Sequence, residues 1–228
     1  MMMPIGNVSN ALNKVAFPLF AELQNEEDRL RSAYKKIMLL VLYIISPIIV
    51  LMMVLAEPLT VFLFTAKWIP MVPLFQIICL SGLLYPLHLY NLLILQVKGR
   101  SDLFLKLEVI KKVLLSIVIF TSFYFGLYGL LWGQLVFSVL VLFINTYYAG
   151  SMINYSMKQQ LRDMIPLFLL AGFVGMCVYV LDHYVLYTFL NIVRLIISSI
   201  LGGVLYFSIS YVFKFNSLLE IKNIILKK

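Results

Sequence analysis

Residues 37–56 read Ile-Met-Leu-Leu-Val-Leu-Tyr-Ile-Ile-Ser-Pro-Ile-Ile-Val-Leu-Met-Met-Val-Leu-Ala, without a charge between Lys36 and Glu57. A helix needs about 20 apolar residues to cross about 30 Å of hydrocarbon. This stretch therefore reads as a transmembrane helix, and the same punctuation by charge recurs along the chain. Further uncharged runs extend from Lys67 to Lys98, from Lys112 to Lys158, from Asp163 to Asp182 and from Arg194 to Lys214. The second of these is long enough for two spans. Six full spans result, at about 37–56, 72–95, 103–124, 127–149, 164–181 and 190–213. Phe125-Gly126 is the expected turn between the third and fourth. That choice puts Glu108, Lys111 and Lys112 inside the third span. The alternative starts this span near Val109 and moves the turn towards Gly133.

Composition agrees. Of 228 residues, 63% are hydrophobic and 12% charged, and mean hydropathy is +1.00. Soluble domains are nearer 45–50% apolar and 25% charged. No segment shows the ten-residue alternation of an outer-membrane barrel, so the expected class is an all-α membrane protein. Pro47, Pro86 and Pro166 lie in or at the start of spans, where a membrane bundle tolerates them and they tend to kink helices. Gly129/Gly133, Ser198/Gly202 and Ser199/Gly203 have the small-xxx-small spacing that lets helices approach closely. Cys79 and Cys177 both sit in apolar runs and read as small buried hydrophobes. No cleavable signal peptide is read at Met1.

Net charge is +8, from 18 basic and 10 acidic residues. Alternate connections, 21–36, 96–102, 150–163 and 214–228, hold 12 of the basic residues, whereas the other connections hold only Lys67. Lys and Arg collect in cytoplasmic loops, so the first set, including the C-terminus, is expected on the cytoplasmic side. Leu218, Ile221 and Ile225 share one face of the tail, with Lys222, Lys227 and Lys228 among them, which suits a short helix on the inner membrane surface. Alternation with spans explains the positive charge without nucleic acid.

Residues 4–20 are too polar and too short for a full span. By parity they form the cytoplasmic end of a helix descending from outside. The expected organisation is 1–36, the end of a partial helix and a cytoplasmic connection; 37–149, a core of four transmembrane helices; and 150–228, two more helices and a cytoplasmic tail.

Three stretches carry a family resemblance. The first is Val15-Ala16-Phe17-Pro18-Leu19-Phe20-Ala21-Glu22-Leu23-Gln24, followed by Asp28, Leu30 and Tyr34. The second is Ala56-Glu57-Pro58-Leu59-Thr60 with Lys67-Trp68 and Val72-Pro73. The third is Tyr85-Pro86, Asn91 and Lys98-Gly99-Arg100-Ser101-Asp102-Leu103. In order and spacing they resemble the C-terminal half of bacterial oligosaccharide flippases. These are the O-antigen and exopolysaccharide exporters of the multidrug/oligosaccharidyl-lipid/polysaccharide exporter superfamily. The resemblance implies a two-lobed fold of 12 to 14 helices rocking about a central cavity. It implies a substrate made of oligosaccharide linked by diphosphate to a polyprenyl lipid, moved across the cytoplasmic membrane for lipopolysaccharide, capsule or exopolysaccharide synthesis. Six spans and a partial helix correspond to helices 8 to 14. The chain is then a truncated product, half of a split gene with a separately encoded N-terminal lobe as partner, or a fragment.

A flippase cavity must offer cations to the diphosphate and polar groups to the sugar. Glu108, Lys111 and Lys112 are the first candidates, because intramembrane ionisable groups by default face the bundle interior or a wet cavity. Glu108 and Lys112 are i,i+4 and can pair, which leaves Lys111 for a phosphate. Snorkelling to headgroups is the alternative. Arg194 lies about five residues inside the last span. It either snorkels outward or lines a groove for the lipid diphosphate. His88 and Asn91 share a helix face and either contact sugar or pack. Glu57-Pro58 and Lys67-Trp68 read as an interfacial re-entry, and Glu26-Glu27-Asp28 as a solvated helix face.

Nucleotide-binding loops, zinc motifs and nucleophile elbows are not found in the sequence, so no enzyme activity, metal or cofactor is expected. Two other readings stay open. One is a drug or metabolite antiporter of the same superfamily, with Glu108 as its central acid. The other is a non-transporting scaffold subunit.

Overall fold

The computed structural model describes residues 16–213, and these are helical almost throughout. Residues 16–22 form a helical turn. The rest of the expected partial helix, residues 4–15, and the expected surface helix of the tail lie outside the described residues.

Helix α1 runs Glu27–Val54 and α2 Ala56–Phe64, with a 3-10 turn at Ala66–Met71. Helices α3, Val72–Leu83, and α4, Tyr85–Val97, follow. Then come α5, Ser101–Phe123, and α6, Gly126–Met152. Helix α7, Met157–Leu181, continues through a π turn at Asp182–Leu186, and α8 is Asn191–Val212.

Five segments are long and apolar enough to cross a membrane: Glu27–Val54, Ala66–Val97, Gly126–Met152, Met157–Leu186 and Asn191–Val212. Six were expected. The sixth, α5, is a helix of 23 residues, but Lys106, Glu108, Lys111 and Lys112 put four charges into any stretch of it long enough to span. The expected second span is also not one helix. It breaks between α3 and α4 at Leu84: Pro86, in the first turn of α4, has no N–H to donate to the carbonyl four residues earlier, so the helical ladder is interrupted there.

Local chemistry sets the other boundaries. Glu27 and Asp28 occupy the first turn of α1, where carboxylates meet the positive end of the helix dipole. The Arg29 and Arg31 guanidiniums pair with Glu26 and Asp28 at 2.9 and 3.2 Å on that solvated face. Helix α4 stops at Gly99, whose φ is 67°. The Gly99 amide donates to the Gln96 carbonyl (3.0 Å) and the Arg100 amide to Leu95 (3.1 Å), the two bonds of a Schellman C-cap. The expected turn at Phe125-Gly126 is present, with Gly126 at φ 66°. Before α7, the Ser156 amide donates to Gln159 Oε1 (3.0 Å) and the Gln159 amide to Ser156 Oγ (3.4 Å). This is a reciprocal capping box.

The chain divides into two compact units. One comprises residues 1–41 and 81–163, the other 42–80 and 164–228. In the first, α6 packs on both α4 and α5. Gly133 lies so close to Ser122 and Val118 of α5 that a Cβ would collide with Ser122, which gives the expected packing role to Gly129/Gly133. The three basic connections described in this unit meet one another. Arg31 donates to the Asn154 carbonyl (3.2 Å), Asn154 to Glu27 (2.9 Å) and Lys98 to the Gln24 carbonyl (2.8 Å), while Lys35 pairs with Asp163 at 2.6 Å. The loops expected to share one membrane face thus gather at one end of the unit.

In the second unit, Arg194, Ser198, Gly202, Tyr206 and Ser210 make the buried stripe of α8. Ile196, Ile200, Val204 and Phe207 of the same helix face outward. A soluble helix would have the opposite polarity; apolar-out with small and polar residues inside suits a helix in lipid. A Cβ on Gly202 would press Leu51 at 2.7 Å, whereas nothing lies within 4 Å of Gly203. Of the two overlapping small-residue pairs, Ser198/Gly202 packs and Ser199/Gly203 faces outward, contrary to the expectation that both pack. The Tyr206 hydroxyl donates to the Tyr43 carbonyl (2.9 Å). Both described cysteines are free.

Candidate functional site

A cavity of about 280 Å³ opens in the first unit. Ser81, Tyr85 and His88 line it from α3 and α4, Glu108, Lys111, Lys112 and Leu115 from α5, and Gln134, Phe137, Ser138 and Val141 from α6. The turn at Lys98-Gly99-Arg100 explains why α4 and α5 contribute at the same level. His88 and Lys111 stand at similar distances from the ends of their helices at that turn, so each sits roughly 15 Å along the helix axis.

Lys111 is buried, 7% exposed, and its ammonium pairs with Glu108. The expected pairing was Glu108 with Lys112. Spacings of three and four both bring helical side chains together, and here the third residue rather than the fourth reaches the carboxylate. Lys112 consequently lines the cavity from an exposed position, with no carboxylate or hydrogen-bond partner for its ammonium among the described residues. The α5 wall therefore carries two ammonium groups against one carboxylate. Across from it, His88 Nε2 and Ser138 Oγ are 3.0 Å apart, and His88 Nδ1 is buried without a partner. Gln134 and Ser138 are one helical turn apart on α6 and add hydrogen-bonding groups to the lining. Neither was anticipated; two polar residues at i,i+4 within an otherwise apolar span were the available signal.

Asn91 is placed elsewhere. It accepts from the Tyr34 hydroxyl (2.8 Å) and donates to Thr146 Oγ1 (3.1 Å). Tyr34 is also 3.3 Å from Gln160 Oε1, and Gln160 donates to the Tyr155 carbonyl (3.0 Å). All these side chains are buried, so Asn91 is the centre of a polar knot tying four helices together, not part of the cavity lining with His88.

Arg194 belongs to the second unit and is paired there with Asp182. It is 7% exposed and makes two contacts with Asp182 across the π turn, Nε to Oδ1 at 3.0 Å and Nη2 to Oδ2 at 2.6 Å. Asn191 Oδ1 is 3.4 Å from Nη1, and the Tyr187 ring centroid lies 5.8 Å from the guanidinium carbon. A fork so fully occupied closes the turn between α7 and α8. Pro58 lies in the first turn of α2, and exposed Trp68 sits 6.4 Å from Phe64, ring to ring. No cluster of His, Cys, Asp and Glu that could hold a metal occurs among the described residues.

Residues 1–73 match the family model described as polysaccharide biosynthesis protein. A membrane protein of the cps region in Klebsiella pneumoniae is 23% identical over 134 residues, 58% of this chain and 28% of that protein. The teichuronic acid biosynthesis protein TuaB of Bacillus subtilis is 21% identical over 173 residues, 75% of this chain and 36% of its own length. The lipopolysaccharide biosynthesis protein WzxC of Escherichia coli is 28% identical over 113 residues, 50% of this chain and 23% of that protein. The chain thus spans between 23% and 36% of these relatives' lengths. No solved structure matches. The chain is a multi-pass helical membrane protein that resembles membrane proteins of bacterial polysaccharide biosynthesis.

Proposed function

We propose that this chain supplies part of the translocation path of a flippase for polyprenyl-diphosphate-linked oligosaccharide in the cytoplasmic membrane, with its C-terminus on the cytoplasmic side. The observation that carries the reading is the α5 wall of the cavity. Lys112 has no counter-ion among the described residues, and its neighbour Lys111 is held by Glu108. A diphosphate between them would satisfy both ammonium groups by charge-assisted hydrogen bonds. His88, Gln134 and Ser138 would meet sugar hydroxyls. The protein moves its cargo and makes or breaks no bond in it, so this is a transporter and not an enzyme. Coverage of about a quarter to a third of the relatives supports a working unit with a second, N-terminal lobe as partner.

The test is binding by the whole chain in nanodiscs. The two probes are a polyprenyl diphosphate and the polyprenyl alcohol of the same length. The diphosphate should bind at least tenfold more tightly, since a hydrogen bond to a charged group contributes about 1.5–3 kcal/mol, and Lys112→Gln should remove most of that preference. Equal binding of the two probes would sink the reading.

A further inference from the structure

A second cavity, of about 560 Å³, lies at the end of the first unit where its basic connections gather. Arg31 and Lys35 of α1, Tyr155 and Arg162 border it, with Asp28 and Asp163. Three cations face two carboxylates. The carboxylates are already engaged: Asp28 with Arg31 at 3.2 Å, and Asp163 with both Lys35 (2.6 Å) and the Tyr155 hydroxyl (2.5 Å). Arg162 has no carboxylate or hydrogen-bond partner among the described residues. Burial first, and then the Asp163 carboxylate, raises the Tyr155 phenol above its ordinary pKa, so it remains a donor at neutral pH. Ser32 and Gln159 add a hydroxyl and an amide at the rim.

The depth of this cavity is fixed by sequence. Lys35 lies just before the apolar run that opens at Ile37, and Arg162 just before the run that opens at Met164. Both stand where the spanning helices leave hydrocarbon, which is the level of phospholipid headgroups. A soluble anion has no reason to prefer that level; a lipid phosphate does, because its acyl chains can lie along the outward apolar faces of the same helices. Basic pockets between membrane helices at this depth suit anionic headgroups.

We infer that the cavity bordered by Arg31, Lys35, Tyr155 and Arg162 binds the phosphate of an anionic phospholipid. Arg162 would take the phosphate directly, and Lys35 would be shared between phosphate and Asp163. This site is separate from the cavity between α4, α5 and α6, and its readout is lipid binding rather than transport.

The experiment compares the whole chain in nanodiscs of phosphatidylcholine alone with nanodiscs containing phosphatidylglycerol, using native mass spectrometry and thermal unfolding. Wild-type protein should retain phosphatidylglycerol and unfold at higher temperature with it. Arg162→Gln should weaken that retention about fivefold, the factor corresponding to about 1 kcal/mol per basic residue near an anionic surface. Arg162→Lys should keep most of it. Arg162 is exposed, so its replacement should leave unfolding in phosphatidylcholine unaltered; if it does not, Lys35→Gln is read in its place. Equal retention of both lipids, or full retention by the glutamine variant, overturns the inference. So does equal stabilisation of the phosphatidylcholine sample by inorganic phosphate, which would assign the site to a free anion.

Discussion

Arg194 and Asp182 offer the sharpest test of how the second unit is held. Their side chains are each 8% exposed and meet through two contacts of 3.0 and 2.6 Å. Arg194→Met removes the cation and leaves the Asp182 carboxylate buried without it. Breaking a buried pair from one side costs about 3–5 kcal/mol, against about 0.6 kcal/mol for an average hydrogen bond between membrane helices. The buried, doubly bonded geometry argues for the larger figure, and about 3 kcal/mol is a factor of roughly 150 in the folded-to-unfolded ratio. Asp182→Leu should cost a similar amount. The double variant should be far less damaged than the two single losses added, because neither charge is then stranded. A coupling of at least about 2 kcal/mol is expected. Arg194→Lys should be intermediate, since an ammonium cannot reproduce the two-pronged contact. Denaturant titration of these proteins in mixed micelles gives all the quantities. Single losses that add within about 0.5 kcal/mol, as for independent sites, would refute the pairing and return Arg194 to the headgroups.

Two other predictions concern packing. Gly150→Ala drives a Cβ into the Tyr155 carbonyl and to 3.1 Å from Gln160 Nε2. It should lower stability by about 1–3 kcal/mol, whereas Gly203→Ala, with nothing within 4 Å, should be neutral or gain up to about 1 kcal/mol from helix propensity. Asn91→Leu removes the Thr146 partner and leaves the Tyr34 hydroxyl only its longer contact with Gln160, and should cost about 1–3 kcal/mol, seen as a lower unfolding temperature; an unchanged temperature would remove the knot from the stability of the first unit.

How much of this was legible in the sequence follows from which force decides each feature. Uninterrupted apolar runs locate the spans, because the hydrophobic requirement is summed over a whole membrane crossing and tolerates local error. Gly126 was readable for a different reason: few residues other than glycine accept its positive φ. The break at Leu84 was signalled by Pro86 but not its outcome, since a proline either kinks or interrupts a helix depending on neighbours. The cluster Glu108, Lys111 and Lys112 was legible as a group in one cavity wall, yet its pairing was not. Three- and four-residue spacings are nearly equal in energy, and surrounding side chains choose between them. Asp182 and Arg194 stand on different helical elements, at a separation that no helical repeat would bring together. Only the π turn and the chain reversal before α8 do so. Likewise Ser198/Gly202 and Ser199/Gly203 are identical as patterns, and only Leu51 and Val178, packed against the former, tell them apart.

The cations of α5 are where the proposed function is most exposed to test. In cells whose surface polysaccharide depends on this protein, Lys111→Ala and Lys112→Ala would be introduced together, with membrane levels of the protein matched to wild type. Surface polysaccharide should disappear while lipid-linked oligosaccharide accumulates at the inner face of the membrane. Undiminished surface polysaccharide in the double variant would contradict a role for these residues in carrying the diphosphate.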